Sequence, residues 1–197
     1  MAKVLFINPM VREEDDPHHV PMGMAQLCSI AINKGHQVQV YDHNAWRSDD
    51  DTTKKVIESD KWDLIAVGGI TTAYASIKKI VKISKKIFPN TPISLGGGVL
   101  TSIPKEVLTW LPEVDFGFVG ESYKTIIDVL SMIDERKSEW HKIKGLVVRV
   151  NKNDYYFTPP QELIKNLDDL PYPAFDLFPL EEVYFKNSKL LYSEQGM

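Results

Sequence analysis

Short strand-like runs alternate along the chain with longer segments of helical periodicity. Four of the runs are nearly all apolar and one alternates apolar and polar residues; they lie at 3–8, 37–41, 64–68, 93–95 and 116–119. The segments between them carry apolar residues at helical spacing, which predicts helices at 22–34, 51–59, 75–88, 104–110 and 123–135. Short apolar strands that alternate with helices are typical of a parallel sheet covered on both faces. The pattern therefore predicts an α/β fold with a doubly wound, five-stranded parallel sheet.

Chain length and strand number favour the flavodoxin-like strand order 2-1-3-4-5 over a longer, Rossmann-like sheet. Two helix boundaries have local signals. Gly35 is a plausible C-cap for the first helix, and Asp50 or Asp51 is the predicted N-cap of the second.

The pattern changes beyond about residue 140. Segments 143–150 and 154–158 flank Asn151-Lys152-Asn153 and predict a β-hairpin. The proline-rich stretch that follows has no helix or strand period, which predicts an extended connector with aromatic anchors. We therefore assign 1–140 to the α/β domain and 141–197 to a hairpin and linker. Because no structural signal accompanies the end at Gly196-Met197, we expect the chain to be part of a longer protein.

Charge and cysteine content exclude several classes of protein. A net charge of -4 gives no basic footprint for nucleic acid. The lysines at 78–86 fall at helical spacing, as on the solvated face of an amphipathic helix. No apolar run reaches the roughly 20 residues that span a bilayer. The single cysteine, Cys28, lies in an apolar segment where we expect it to be buried; it excludes an internal disulfide and an iron–sulfur cluster held by this chain alone, and fits a cytoplasmic protein.

Three glycine-centred turns follow directly after predicted strands. Gly68-Gly69 follow the third strand, Gly96-Gly97-Gly98 the fourth, and Gly120-Glu121 the fifth. Glycine at the carboxyl end of a parallel strand lets a ligand approach the backbone closely, and these ends meet at one edge of the sheet. We therefore expect that edge to hold a large polar ligand, with the three consecutive glycines as the strongest indication.

Several polar residues near these turns have two explanations each. The hydroxyls of Thr71, Thr72 and Tyr74 either bond a buried ligand or cap the next helix. Glu121 either accepts hydrogen bonds from a ligand or caps the helix that follows. Asp42-His43, at the end of the second strand, is either a hydrogen-bonded turn or a pair of ligating residues.

Other chemistry lacks a motif. The sequence has neither a GxGxxG dinucleotide fingerprint after the first strand nor a GxxxxGK[ST] phosphate loop. Acidic and histidine residues crowd segment 13–19, but without the spacing of strong metal sites, so we favour a solvated loop there.

An ordered set of motifs resembles the N-terminal cobalamin-binding domain of B12-dependent radical SAM enzymes. The set is Pro21-x-Gly23, Gly35-His36-x-Val38, Asp63-Leu64-Ile65, Thr71-Thr72, Gly96-Gly97-Gly98, Val114-Asp115-Phe116 and Gly120-Glu121. Segments 143–146, 166–173 and 175–179 look like the connector that leads, in this family, into the radical SAM barrel. The resemblance covers essentially the whole chain, and the order of the motifs with the connector makes it specific.

The resemblance implies a bound cobalamin whose nucleotide tail lies in a slot between the sheet and a helix. Methionine-synthase-type domains ligate cobalt through a DxHxxG histidine, which this chain lacks; Asp42-His43-Asn44 is no substitute. The implied state is therefore base-off, without a histidine ligand, and Met10 and Met22 are candidates for the position below the cobalt. The implied cofactor-binding residues are Asn8, Pro9, Met10, Met22, Gly23, Gly68, Gly69, Thr71, Thr72, Tyr74, Gly96, Gly97, Gly98, Gly120 and Glu121.

The family's catalytic module carries a CxxxCxxC motif for a [4Fe–4S] cluster that cleaves S-adenosylmethionine, and this chain has no such motif. We therefore expect the cobalamin-binding part of a radical SAM methyltransferase or cyclase, with the barrel in cis as its partner and no nucleic acid or membrane partner. The alternative is a flavodoxin-like module that binds a flavin or small phosphorylated ligand or serves signalling, although no Ser/Thr-rich phosphate loop follows the first strand. A domain that has lost its ligand is a third reading, against which the glycine run argues.

Overall fold

A seven-stranded sheet with the order β2-β1-β3-β4-β5-β6-β7 forms the centre of the protein. The computed structural model describes residues 1–152 and 154–186. The strands are β1 Lys3–Asn8, β2 Gln37–Asp42, β3 Leu64–Gly68, β4 Ile93–Gly96, β5 Phe116–Phe118, β6 Leu146–Asn151 and β7 Asp154–Phe157. The first five pair in parallel, with Ile7 of β1 opposite both Tyr41 and Val67. The predicted doubly wound α/β fold and its 2-1-3-4-5 order are confirmed.

Helices cover both faces of this sheet. They are α1 Met22–Asn33, α2 His43–Trp46, α3 Asp50–Glu58, α4 Tyr74–Ile87, α5 Gly98–Ser102, α6 Pro104–Trp110 and α7 Thr125–Asp134. Side chains of α1 and α7 form one buried layer with Val4, Phe6 and Phe116 of the sheet. Side chains of α3 to α6 form the other layer, against Leu5 and Ile65. Because successive strand residues point to opposite faces, each central strand contributes to both layers.

Two local signals lie close to the observed helix ends. The first helix ends at Asn33 with Lys34 as its C-cap, and the predicted Gly35 is the next residue, at the φ of +86° typical of a glycine that follows a helix. The predicted N-cap of α3, Asp50 or Asp51, was wrong by one or two residues, because the carboxylate of Asp49 accepts the bond from the Thr52 backbone N–H at 2.7 Å. Of the two explanations for Asp42-His43, the structure shows hydrogen bonding: the Asp42 side chain accepts a bond from the Ala45 N–H and caps the short helix α2.

The predicted hairpin extends the main sheet. β6 pairs antiparallel with β5, placing Leu146 opposite Phe118, and β7 pairs antiparallel with β6. Of the predicted hairpin turn, Asn153 lies outside the described residues, as does Gly196-Met197. The connector is not extended throughout: it contains short 3-10 turns at Leu167–Asp169 and Phe175–Leu177 and a π-helical turn at Leu180–Tyr184.

Two further predictions about the surface and core are confirmed. Cys28 is a fully buried residue of α1, and burial raises the pKa of its thiol. Lys78, Lys79 and Lys82 lie on the solvated side of α4, whose Ile77 and Ile80 face the core. In residues 1–152 and 154–186, every helix is too short or too polar to cross a bilayer.

Candidate functional site

A cavity of about 740 Å³ opens at the carboxyl ends of the parallel strands, between the sheet and the layer of α1 and α7. Its floor consists of alternate residues of the two central strands, Ala66 and Gly68 of β3 with Ser94 and Gly96 of β4. All four are small, so a trough runs along the sheet between Phe6 of β1 and Phe118 of β5. The volume lies within the range of roughly 300–1,000 Å³ typical of small-molecule sites.

Helices and loops form the walls of the cavity. α1 contributes Met22, Gly23, Met24 and Leu27, and α7 contributes Ile126. The remaining wall residues lie at the carboxyl ends of β1 to β5 and in the loops and short helices that follow these strands; they are Asn8, Pro9, Val11, His19, Val20, Pro21, Asn44, Val67, Gly69, Ile70, Gly97, Gly98, Thr101, Gly120, Glu121, Ser122 and Tyr123. The walls are mainly apolar, with a few polar groups, which is the usual make-up of a cofactor pocket.

Two glycine turns meet at the rim of the trough. Gly97 adopts φ 85° and ψ -173°, a region that is open almost only to glycine. A Cβ on Gly97 would lie 2.5 Å from the backbone oxygen of Gly69. The Val99 N–H donates to that same oxygen at 3.2 Å, and the Gly69 N–H donates to the Gly96 oxygen at 3.2 Å. Gly97 is thus required by contact between two turns of the protein, whereas sequence reasoning linked it only to a ligand.

Ser94 is the unusual polar group of the floor. Its side chain is fully buried, and its hydroxyl has no hydrogen-bond partner in the structure. A buried hydroxyl without a partner costs about 1–3 kcal/mol. Ser94 is among the residues that line the cavity, so a ligand that reaches the floor with an acceptor would supply the missing partner.

A buried polar cluster lies at the β1–β2 end of the cavity. The Asp42 carboxylate accepts hydrogen bonds from Asn8 Nδ2 at 2.8 Å and from the Ala45 N–H at 3.0 Å. Its other oxygen accepts a bond from the Tyr184 hydroxyl at 2.6 Å. Burial raises the pKa of Asp42, although these hydrogen bonds oppose the rise. Burial, followed by the neighbouring Asp42 charge, raises the pKa of Tyr184, which keeps its hydroxyl a donor.

His43, the first residue of α2, lies next to this polar cluster. Its Nδ1 lies 3.1 Å from Ser76 Oγ, and its Nε2 lies 3.0 Å from the Ser48 carbonyl oxygen. Desolvation by burial lowers the pKa of this imidazole, which favours its neutral form. Both ring nitrogens therefore have hydrogen-bond partners within the protein, Ser76 of α4 and Ser48 just after α2. His43 does not line the cavity.

The structure brings eleven of the fifteen predicted cofactor-binding residues to the cavity wall. They are Asn8, Pro9, Met22, Gly23, Gly68, Gly69, Gly96, Gly97, Gly98, Gly120 and Glu121. Their binding roles stay predictions. Glu121 is exposed at the rim and does not cap α7, whose N-cap is Lys124.

The other four predicted residues lie away from the cavity lining. Thr71 and Thr72 are exposed in a 3-10 turn, and neither hydroxyl caps α4. Tyr74 packs on the opposite face of the sheet, edge-on to Trp110 at 5.8 Å between ring centroids. The backbone N–H of Met10 donates to Ser76 Oγ at 3.1 Å, which directs this residue towards α4.

Several cavity residues were missed by sequence reasoning, chiefly Ser94, Phe118, Met24 and Leu27. Ser94 had a usable signal, since it lies two residues before Gly96 and so must share its face of β4. The apolar residues had none, because a residue that lines a cavity and one that fills a core have the same hydrophobic pattern. The loop at 13–19 also has a wall residue, His19. Among the described residues, no group of three or more His, Cys, Asp or Glu could hold a metal ion.

Comparison with known proteins identifies relatives of this chain. A family model described as B12 binding domain matches residues 11–130, more than half of the chain. The uncharacterized methyltransferase PH0819 of Pyrococcus horikoshii is 29% identical over 168 residues, or 82% of this chain and 35% of that protein. The anaerobic magnesium-protoporphyrin IX monomethyl ester cyclase of Synechocystis is 23% identical over 175 residues, or 84% of this chain and 34% of that protein. The chain thus spans about a third of the length of these curated relatives.

Solved structures share the fold. TsrM from Kitasatospora setae, a radical S-adenosylmethionine methyltransferase solved with cobalamin and a [4Fe-4S] cluster, matches with a TM-score of 0.71 and 17% identity, over 87% of this chain and 31% of that protein. The cobalamin-dependent S-adenosylmethionine radical enzyme OxsB, solved with aqua-cobalamin, matches with a TM-score of 0.74 and 15% identity, over 90% of this chain and 24% of that protein.

Proposed function

Because the chain belongs to the B12-binding domain family, we propose that the cavity between the sheet, α1 and α7 holds cobalamin. The observation that carries this proposal is the trough of Ala66, Gly68, Ser94 and Gly96, which ends in three glycine turns. The trough has room for a flat ring system, because its floor residues are small. The floor also contains the buried Ser94 hydroxyl, which has no hydrogen-bond partner. The family match favours this reading over a flavodoxin-like module.

The residues present fit a base-off cofactor, whose nucleotide tail must enter the protein. Small floor residues give the tail room, and the apolar side chains of Phe6, Phe118 and Ile126 exclude water from it. Ser94 would donate its free hydroxyl to an acceptor on the tail. Bound methylcobalamin supplies a transferable methyl group, and the role of this chain is to bind and orient the cofactor.

Ser94 gives a direct test of the cavity assignment. Replacing Ser94 by alanine is expected to stabilise the cofactor-free chain by about 1 kcal/mol, because an unpartnered buried hydroxyl is removed. The same change is expected to weaken hydroxocobalamin binding about tenfold, since the tail loses a hydrogen bond. Urea unfolding and a binding titration measure the two effects.

Ser84 provides the matched control. Its hydroxyl is also fully buried and unpartnered, but it lies in α4 on the opposite face of the sheet. Ser84→Ala should stabilise the chain similarly and leave hydroxocobalamin binding unchanged. Equal affinities for wild type and Ser94→Ala would place the cofactor elsewhere.

We propose that no histidine ligates the cobalt from below. The loop after β1 carries Pro9-Met10-Val11 where a DxHxxG motif would lie, and Met22 is the predicted methionine that does line the cavity. His19 also lines the cavity, so it is the side chain to test. The electron paramagnetic resonance spectrum of bound cob(II)alamin is expected to lack splitting from an axial nitrogen. Splitting that disappears in His19→Ala, but persists in His141→Ala at an exposed site, would identify His19 as a ligand.

We further propose that this chain is the cobalamin-binding part of a radical SAM methyltransferase or cyclase. The relatives, one an uncharacterized methyltransferase and one a cyclase, support this, as does the finding that the chain spans only about a third of their length. The [4Fe–4S] cluster and the S-adenosylmethionine site would belong to a barrel joined in cis through the connector. A cytoplasmic location is supported by the one cysteine, Cys28, which is buried and unpaired.

A further inference from the structure

The connector folds back onto the helix that walls the cavity. Gln26 Nε2 of α1 donates to the Pro171 carbonyl oxygen at 2.7 Å, and the Ala174 N–H donates to the Ala25 carbonyl oxygen at 3.0 Å. Ala174 is buried in the same apolar layer as Cys28 of α1. Segment 166–184, which we call the strap, is therefore fastened along α1, whose neighbouring residues Met24 and Leu27 line the cavity.

The C-terminal end of the strap is also held, by a buried hydrogen bond of Tyr184. Tyr184 is 1% exposed, and its hydroxyl donates to Asp42 Oδ2, 142 positions away in the chain. The same carboxylate binds Asn8 Nδ2, and Asn8 lines the cavity. Asn44 also lines the cavity, and its side-chain oxygen accepts a hydrogen bond from the Val11 N–H at 2.9 Å. One buried carboxylate thus joins the strap to the loops at the cavity wall.

We propose that the strap sets the affinity of the cavity for cobalamin, with Tyr184 as the positioning residue. Removing the Tyr184 hydroxyl leaves a buried Asp42 oxygen without its donor, so the carboxylate must turn towards other donors. That movement releases Asn8 at the cavity wall and frees the end of the strap. Because the strap lies along α1 through the Gln26–Pro171 and Ala25–Ala174 bonds, the position of the α1 wall is then set less firmly. Since coupling between two sites is reciprocal, bound cobalamin must also tighten the strap. This inference rests on the proposed function.

The test compares Tyr184→Phe with Tyr41→Phe. Tyr41 is also buried, and its hydroxyl lies 2.9 Å from Thr53 Oγ1, but its ring belongs to the layer on the opposite face of the sheet. Both variants lose one buried hydroxyl bond and should have lowered melting temperatures. Titration with hydroxocobalamin at a temperature where both are folded should show about a tenfold higher Kd for Tyr184→Phe and less than a twofold change for Tyr41→Phe.

Hydrogen exchange separates the two roles of Tyr184. If this tyrosine only stabilised the fold, its loss would not change how cobalamin protects the strap from amide exchange. In the wild-type chain, saturating hydroxocobalamin should slow amide exchange within 170–184, and this protection should be lost in Tyr184→Phe. Two results would overturn the inference while leaving the cobalamin site intact. One is wild-type affinity in Tyr184→Phe, and the other is amide exchange in the wild-type strap that does not change when hydroxocobalamin is bound. Equal weakening by both variants would show a general effect of stability and overturn it as well. If the wild type itself binds no cobalamin, the proposed function fails, and the inference fails with it.

Discussion

Replacement of Gly97 by alanine is expected to destabilise the chain by about 3 kcal/mol or more. The backbone of Gly97 lies at φ 85° and ψ -173°, and holding any other residue there costs about 1–3 kcal/mol. The added methyl group would also lie 2.5 Å from the oxygen and 2.9 Å from the nitrogen of Gly69. These are backbone atoms within hydrogen-bonded turns, so they cannot move aside without loss of the Gly69–Gly96 bond.

Urea unfolding followed by circular dichroism measures this loss, and Gly98→Ala is its control. A Cβ on Gly98 would meet only Ile70 Cγ2, at the ordinary contact distance of 3.8 Å. Gly98 also begins helix α5, where alanine is preferred to glycine. Gly98→Ala should therefore be as stable as the wild type, or slightly more stable. A Gly97→Ala variant of wild-type stability would contradict the turn-to-turn contact.

Replacement of Gly96 by phenylalanine is expected to abolish cobalamin binding, with at least a hundredfold loss of affinity, while the chain stays folded. Gly96 shares its face of β4 with Ser94, so a side chain there projects over the trough. A Cβ on Gly96 would meet Phe118 Cβ at 3.6 Å, which is an ordinary contact. The larger ring would occupy space in the cavity, and the fold can accept it because that space is not part of the packed core.

Gly96→Ala is the matched control, because it adds the Cβ without filling the trough. We expect it to keep hydroxocobalamin affinity within about threefold of the wild type. The binding titration is accompanied by a thermal melt of each variant. A folded Gly96→Phe chain that binds cobalamin as the wild type does would contradict the placement of the cofactor over β4.

The fold could be predicted from sequence because local patterns determine most of it. The runs at 3–8 and 64–68 match β1 and β3, since few structures other than a buried strand fit four consecutive apolar residues that end at a turn. The pairing of β6 with β5 could not be predicted in this way. A hairpin has the same alternation whether it stands alone or extends a sheet, and the choice depends on the edge that β5 leaves open.

The site was predicted less completely, for physical reasons that differ between residues. The glycine turns are visible in the sequence, and they do reach the cavity. Two of their residues, Gly97 and Gly120, adopt the positive φ that favours glycine. The role of Gly97 could not be read from sequence. A close ligand and a close neighbouring turn both require a residue without a side chain, so the sequence does not distinguish them. The link between Tyr184 and Asp42 spans 142 positions, and no local pattern marks such a partner.

Binding of cobalamin itself is the most direct test of the account. Purified chain is titrated with hydroxocobalamin and with methylcobalamin, desalted, and examined by absorbance spectroscopy, with Gly96→Phe measured in parallel. We predict that the wild type retains about one corrin per chain with a base-off spectrum, and that Gly96→Phe retains none. A folded wild-type chain that retains no corrin, or equal retention by Gly96→Phe, would contradict the assignment of this cavity as the cobalamin site.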